Sequence, residues 1–235
     1  MKEIDITFLS GQQSFNGKCS GMFNSCQQCE KIKGVNLIDT SNATTIYNTF
    51  SNCYKLKELN IPDWHYTHVS NAAGAFRGLY NITDGNFNFG HLEELTELTA
   101  CNGMFQDLTK VIHLDLHNMV SPKCTNFVGM FFTCYNLKYL DISGLDFSKA
   151  TDMTNMFYGT YVAHVKWPTD IEKGICVDFN FANTEADHET LIGLLNILQD
   201  MTGKNARKLT LGSTVLNKLT AEEKAIATNK NWTLA

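Results

Sequence analysis

This sequence has little proline, no excess of positive charge and no long apolar run. Only 3 of its 235 residues are proline, and 43% are hydrophobic against 18% charged, a composition that excludes a disordered chain. The formal net charge of −5 offers no basic surface to a nucleic-acid backbone or to anionic lipid. We therefore expect a folded chain that binds no nucleic acid.

Sequence signals for membranes and for export are also missing. The longest apolar stretch, Leu191 to Leu198, is interrupted by Gly193 and Asn196 and is far shorter than the ~20 residues of a membrane-spanning helix. The N-terminus carries acidic residues and lacks the apolar segment of a signal peptide. We expect no membrane insertion and no secretion signal of the chain's own.

The motifs of common catalytic sites are absent as well. The sequence contains no nucleophile elbow, no H-E-x-x-H pair, no P-loop and no G-x-G-x-x-G loop. No pair of acidic residues stands out from an ordinary solvated surface. We therefore expect no enzymatic activity, no cofactor and no metal.

A repeat of about 26 residues runs through most of the chain. Residues Met104–Leu116 and Met130–Ile142 both follow the pattern M-F-x-x-[C/L]-x-x-[L/V]-x-x-L-D-[L/I]. Its phenylalanine recurs at separations of 27, 26, 29, 26 and 26 residues. The six anchor phenylalanines are Phe23, Phe50, Phe76, Phe105, Phe131 and Phe157. Such regularity predicts a repeat architecture.

Each repeat combines two periodicities. Apolar residues spaced by three to four around the anchor predict a helical turn, and the alternation L-D-[L/I] that follows predicts a strand with one buried face. One unit cannot bury its apolar face alone, so units should stack with their strands parallel. We expect Leu59–Ile61, Leu114–Leu116 and Leu140–Ile142 to lie in one parallel sheet, with the anchors buried.

The two ends of the chain predict different units. Ile4, Ile6 and Phe8 alternate with polar residues, which indicates an opening strand. Near the C-terminus we predict a strand within 177–181, a helix from about Glu185 to Met201, a strand at Leu209–Leu211 and a helix opened by the capping box at Thr220–Glu223. We therefore divide the chain into a repeat region, residues 1–183, and a capping region, residues 184–235, continuous with it.

The segment from Met130 to Ser143 resembles the BspA-like leucine-rich-repeat family, whose signature is M-F-x-x-C-x-x-L-x-x-L-D-[LI]-S. The resemblance covers roughly residues 19–167. It implies an α/β leucine-rich-repeat solenoid with a parallel β-sheet on one face, short helices on the other and a C-terminal cap.

The resemblance also implies a function. BspA-like proteins are typically surface adhesins or host-contact proteins, and similar repeats occur in bacteriophage proteins. We expect a non-enzymatic protein- or glycan-binding module of a phage virion, in a tail, fibre or baseplate, that takes part in host-surface attachment. Its partners would be a protein or a cell-surface glycan, and other virion proteins. The alternative is a cellular adhesin on the bacterial surface or an intracellular interaction scaffold.

Two residue groups raise metal binding as an alternative. Cys19, Cys26 and Cys29 have a spacing compatible with zinc, and His113, Asp115 and His117 alternate along one predicted strand. The repeat favours a different interpretation of both. The eight cysteines mostly occupy repeated apolar positions, as Cys26, Cys53 and Cys134 do, so we expect reduced, metal-free thiols. Asp115 occupies the position of Asn60 and Asp141, which indicates a repeated row of polar side chains.

The exposed side of the predicted strands is the candidate binding face. Its residues are Glu58, Asn60, His113, Asp115, Tyr139 and Asp141. In solenoids this continuous face is the usual contact surface. Candidate aromatic contact residues are Tyr54, Trp64, Tyr66, Tyr135 and Tyr139. For Trp64 and Tyr66 an equally good interpretation is that they cover the ends of the repeat units.

Overall fold

The computed structural model describes residues 2–7 and 18–235. Within these ranges the chain is mixed α/β, with short parallel strands along its length and α-helices near its C-terminus. The strands are β1 (Glu3–Asp5), β2 (Lys31–Lys33), β3 (Leu59–Asn60), β4 (Phe87–Asn88), β5 (His113–Asp115), β6 (Tyr139–Asp141), β7 (His164–Lys166), β8 (Phe179–Asn180), β9 (Arg207–Thr210) and β10 (Trp232–Leu234). The α-helices are α1 (His188–Ile197), α2 (Gly212–Leu216) and α3 (Ala221–Thr228), and short 3₁₀ helices span Val35–Leu37, Leu92–Glu94 and Ile171–Lys173. Phe8 lies outside the described residues.

The strands form several short sheets, all parallel. The strand orders are β1-β2, β3-β4, β5-β6-β7 and β10-β9-β8. Neighbouring strands come from successive repeats in matching register, as Leu114 pairs with Leu140 and Leu140 with Val165. The prediction of parallel strands is confirmed. The prediction that β3 shares a sheet with β5 and β6 is wrong, because β3 pairs with β4 in a sheet of its own.

A single side chain accounts for the break between β4 and β5. One carboxylate oxygen of Asp84 accepts a hydrogen bond from the N–H of Ile112 at 2.9 Å, and the other accepts one from the N–H of His113 at 3.2 Å. At the equivalent place in β6, the N–H of Tyr139 bonds to the main-chain carbonyl of Ile112. The N–H groups of Ile112 and His113 therefore donate to the Asp84 carboxylate and not to main-chain carbonyls of β4, so β5 does not pair with β4.

Around the anchors the chain forms turns, so the predicted helical turns are wrong. The residues two before and two after each anchor all have positive φ: Gly21, Ser25, Asn48, Asn52, Gly74, Gly78, Gly103, Asp107, Gly129, Thr133, Asn155 and Gly159. A left-handed residue at every fourth position prevents a right-handed helix from propagating. We call these segments, residues 19–26, 46–53, 72–79, 101–108, 127–134 and 153–160, the turn column.

The turn column is held together by main-chain hydrogen bonds between repeats. In the fifth segment the N–H groups of Gly129, Phe131 and Thr133 donate to carbonyls of the sixth at 3.0, 3.0 and 2.8 Å. The four preceding segments donate in the same way from the same three positions. Each inner segment thus satisfies its main-chain donors through the next repeat.

The anchors form one row through the core, as predicted. The Phe105 and Phe131 side chains are fully buried, and Phe157 is 2% exposed. Ring centroids of successive anchors lie between 5.3 Å, for Phe23 and Phe50, and 6.1 Å, for Phe105 and Phe131. At these separations aromatic rings attract each other in addition to burying apolar area.

The C-terminal part adds helices to the same core. The side chain of Asp187 accepts a hydrogen bond from the N–H of Thr190 and so caps α1, which is shorter than predicted. Thr220 and Glu223 form the predicted capping box of α3. The hydrophobic cluster runs without a break from Cys19 to Trp232, while the proposed boundary at residue 183 stays a prediction. In the described part of the chain, no helix has the length and apolar character needed to cross a membrane.

Candidate functional site

The exposed side of the β5-β6-β7 sheet carries a row of stacked rings. His113, Tyr139 and His164 occupy matching positions on the three strands. The centroids of His113 and Tyr139 lie 4.5 Å apart with an interplanar angle of 6°, and those of Tyr139 and His164 lie 4.6 Å apart at 7°. We call these three residues the ring row. Since the rings stack on each other, they present their edges to solvent.

A second row of side chains runs beside the ring row, two residues further along each strand. It consists of Asp115, Asp141 and Lys166, which we call the charged row. The Lys166 ammonium lies 2.9 Å from the Asp141 carboxylate. The two rows line an open pocket of about 420 Å³, which we call the sheet pocket. This volume falls within the range of small-molecule sites.

The start of α1 forms the third wall of the sheet pocket. Asp187, Glu189 and Thr190 line it there. The Asp187 carboxylate lies 2.5 Å from Nδ1 of His164, and the Thr190 hydroxyl accepts a hydrogen bond from the N–H of Val165 at 2.8 Å. Asp187 and Thr190 therefore both cap helix α1 and form a wall of the sheet pocket.

The comparison with known families identifies the repeats. The family described as "Mycoplasma protein of unknown function, DUF285" matches residues 17–98 and 76–186, together well over half of the chain. The chain belongs to this family. Membership agrees with the resemblance to BspA-like repeats, and the match includes the anchors and the strands β5, β6 and β7. No curated protein and no solved structure matches the chain.

Within this DUF285 chain, two carboxylates orient the histidines of the ring row. Nδ1 of His113 lies 2.7 Å from the Asp84 carboxylate, and Nδ1 of His164 faces Asp187. An ionised carboxylate only accepts hydrogen bonds, so Nδ1 of each ring carries a proton and Nε2 is the ring nitrogen left for a ligand. Among the described residues, none is hydrogen-bonded to either Nε2 or to the Tyr139 hydroxyl. The ring row therefore offers three polar atoms to a ligand.

Carboxylates dominate the charge of the sheet pocket. Partial burial acts to raise the pKa of the Asp187 carboxyl, but hydrogen bonds from Thr190 and His164 outweigh it and hold the pKa below its ordinary value. The pKa of Asp141 is also lowered, because bonds from Ser143 and Lys166 outweigh its burial. Both side chains are thus anions at neutral pH.

The lowered pKa of Asp141 predicts a loss of stability in acid. Since the folded pKa lies below the unfolded value of ~3.9, the stabilisation is complete above about pH 5 and is lost as the pH falls through the folded pKa. We expect Asp141→Asn to lower the free energy of unfolding at pH 7, and we expect the difference from wild type to shrink between about pH 5 and pH 2. Urea denaturation at several pH values measures both effects.

Asp115→Asn is the matched control for that experiment. Its carboxylate sits at the same register position but is 67% exposed, and its nearest partner is exposed His117. We expect a smaller loss at pH 7 for this variant. An equal loss and an equal pH dependence in both variants would contradict the assignment to the Ser143 and Lys166 contacts.

The structure divides the predicted binding residues between two sheets. His113, Asp115, Tyr139 and Asp141 lie together at the sheet pocket. Glu58 and Asn60 lie at and beside β3, in the separate β3-β4 sheet, where Glu58 pairs with Lys31 at 2.5 Å. The six residues therefore do not form one continuous face, and their role in binding stays a prediction.

Two predicted aromatic contact residues are not available to a ligand. Trp64 and Tyr66 are fully buried. The indole N–H of Trp64 donates to the carbonyl of Val35 at 2.9 Å, and the Tyr66 hydroxyl donates to the carbonyl of Phe89. The prediction that these two residues contact a ligand is therefore wrong, because both side chains lie in the core.

Sequence reasoning missed the residues that complete the sheet pocket. These are His164, Lys166, Asp187, Glu189 and Thr190. His164-Val165-Lys166 does alternate polar and apolar, but it lies one residue closer to its anchor than β6 does and lacks the L-D pattern. The signal for Asp187 was its spacing from Thr190 at the start of the predicted helix.

The cysteines are free thiols, and neither candidate metal group brings three ligands together in the described part of the chain. None of the eight cysteines is in a disulfide. Burial raises the pKa of Cys53 and of Cys134 to about 12, which leaves both thiols protonated and unreactive. Over residues 2–7 and 18–235, no three His, Cys, Asp or Glu side chains come together as metal ligands would.

Proposed function

We propose that this chain is a leucine-rich-repeat solenoid that acts as a non-enzymatic binding module, with a glycan as the ligand of the sheet pocket. The solenoid is supported by the parallel register between successive repeats and by the hydrogen bonds along the turn column. We further propose, from the BspA-like resemblance, that binding serves attachment to a host surface, in a phage virion or, alternatively, in a cellular adhesin.

The ring row is the observation that carries the glycan proposal. Its rings present Nε2 of His113, the Tyr139 hydroxyl and Nε2 of His164, none of which is hydrogen-bonded to another described residue, and the successive ring centroids lie 4.5 and 4.6 Å apart. Tyr139 is 45% exposed although it stands on a strand whose apolar neighbours are buried. A polyhydroxylated ligand supplies donors and acceptors at such short intervals. The sheet pocket is also of a size for a small ligand.

The charge of the sheet pocket narrows the class of glycan. Four carboxylates line it, those of Asp115, Asp141, Asp187 and Glu189. Lys166 contributes the one ammonium group among the described lining residues. An anionic sugar would meet like charges there. We therefore propose that the ligand is a neutral or amino-substituted glycan.

A glycan array followed by calorimetry tests the proposal. We expect hits among neutral and amino sugars and none that depend on sialic acid or sulfate. The triple variant His113→Ala, Tyr139→Ala, His164→Ala should lower the affinity for a hit by at least about 100-fold, because it removes three hydrogen bonds of ~1 kcal/mol each. We expect the variant to stay folded with a modestly lower melting temperature, because all three side chains are exposed but their ring contacts and their pairs with Asp84 and Asp187 are lost. Asp141 is left unchanged because it also holds the turn at Ser143.

Tyr47→Ala is the control for exposed aromatic area. Tyr47 is 47% exposed and belongs to the turn column. We expect this variant to keep the wild-type affinity. Unchanged affinity in the triple variant would remove the sheet pocket from the proposal. If the array gives no neutral or amino-sugar hit and the chain binds a protein partner, the glycan proposal is wrong and the ligand is a protein.

A further inference from the structure

The last segment of the turn column differs from the five before it. In those segments the anchor and the residues two before and two after it donate their N–H groups to carbonyls of the next repeat. The corresponding donors of the last segment belong to Asn155, Phe157 and Gly159. Within the part of the chain that the structure describes, none of these three N–H groups has an acceptor.

The last segment keeps the conformation of the others. Asn155 and Gly159 have φ values of 57° and 70°, in the range found at the equivalent positions of the inner segments. Tyr158 donates to the carbonyl of Asn155 within the segment, as Phe132 donates to Gly129 one repeat earlier. The three donors therefore form the same row as before, at the end of the column.

The chain that follows leaves a space in front of this row. A cavity of about 350 Å³ lies between the last segment and residues 180–183, and we call it the end cavity. On the far side it is lined by Asn180, Ala182 and Asn183. Tyr135, Tyr158 and Tyr161 also line it, and all three are more than 40% exposed.

The chemistry of the end cavity indicates its occupant. Among the described residues that line it there is no Lys, Arg, Asp or Glu, so the lining offers no formal charge to an anion or a cation. In the inner repeats the same row of donors is matched by main-chain carbonyl oxygens on alternate residues. Exposed tyrosines beside such a row can contact the side chains of a bound peptide.

We propose that the end cavity binds a peptide segment of a partner protein, whose main-chain carbonyls accept hydrogen bonds from Asn155, Phe157 and Gly159. The partner's main chain thus takes the place that the next repeat takes in the inner segments. This site is separate from the sheet pocket and does not depend on the glycan proposal.

Selection from an mRNA-display library of random decapeptides, followed by NMR, tests the proposal. We expect selected peptides to shift the amide resonances of Asn155, Phe157 and Gly159 and to leave those of Gly129 and Phe131 in place. Ala182→Trp, which fills the cavity from its far side, should weaken binding by at least about tenfold. Ala221→Trp introduces the same side chain at an exposed position of α3 and should leave the affinity unchanged.

Three results would overturn the proposal of a peptide site at the end cavity. The proposal fails if no peptide is enriched over an unrelated protein, or if the chemical-shift changes concentrate at β5, β6 and β7. It also fails if a folded Ala182→Trp variant keeps the wild-type affinity. Should Ala182→Trp unfold, Tyr158→Ser replaces it, because that side chain is 60% exposed and its loss leaves the core intact; unchanged binding in Tyr158→Ser then counts against the site.

Discussion

Replacing Phe131 with alanine should lower the free energy of unfolding by about 3 to 5 kcal/mol. The side chain is fully buried and lies between two other anchors, with ring centroids 6.1 Å from Phe105 and 5.5 Å from Phe157. Alanine would remove the apolar area, leave a cavity and end both ring contacts. Because each repeat packs on its neighbours, the loss should extend to the repeats on either side. Urea denaturation followed by circular dichroism measures it.

Phe132→Ala is the matched control. This adjacent phenylalanine is half-buried and stacks on exposed Tyr158 with ring centroids 5.1 Å apart. We expect it to cost about 1 kcal/mol, because less area is lost and solvent fills the space. Equal losses of unfolding free energy in the two variants would contradict the expectation that a buried anchor stabilises the fold more than a half-buried phenylalanine does.

Replacing Gly144 with alanine should cost about 3 kcal/mol. A Cβ atom at this position would lie 2.3 Å from the carbonyl oxygen of His117 and 2.6 Å from that of Met119. Both atoms belong to the main chain of the preceding repeat, so no side chain can rotate to relieve the overlap. The two repeats would have to separate locally, which would also disturb the pairing of β5 with β6.

Gly85→Ala separates this overlap from backbone strain. Gly85 has φ +78°, and a Cβ atom there would meet nothing within 4 Å. Its cost should be the ~1 kcal/mol of a left-handed alanine and no more. Thermal and urea denaturation should therefore give a clearly lower free energy of unfolding for Gly144→Ala than for Gly85→Ala. The reverse order would refute the contact between Gly144 and the preceding repeat as the cause.

The repeating elements could be predicted from the sequence because they depend on local periodicity. The recurrence of a phenylalanine every 26 to 29 residues and the L-D-[L/I] triplets after Phe105 and Phe131 can be read from the sequence, because a strand with one buried face alternates buried and exposed residues. The burial of Phe105 and Phe131, the strands β5 and β6 and the capping box of α3 all follow from such short-range patterns. Turns replaced the expected helices because the Gly and Asn positions also set the backbone to positive φ.

The boundaries of the sheets and the composition of the candidate site were decided by the tertiary structure. Asp84 ends the β3-β4 sheet through hydrogen bonds to residues 28 and 29 positions away, and no local pattern marks it for that role. Asp187 reaches His164 only because α1 packs beside β7. The sequence by itself determined that the anchors are buried and that strands such as β5 and β6 recur, since both follow from local periodicity. Only the tertiary structure decided which polar side chains meet at the sheet pocket, since those contacts join residues that no repeat relates.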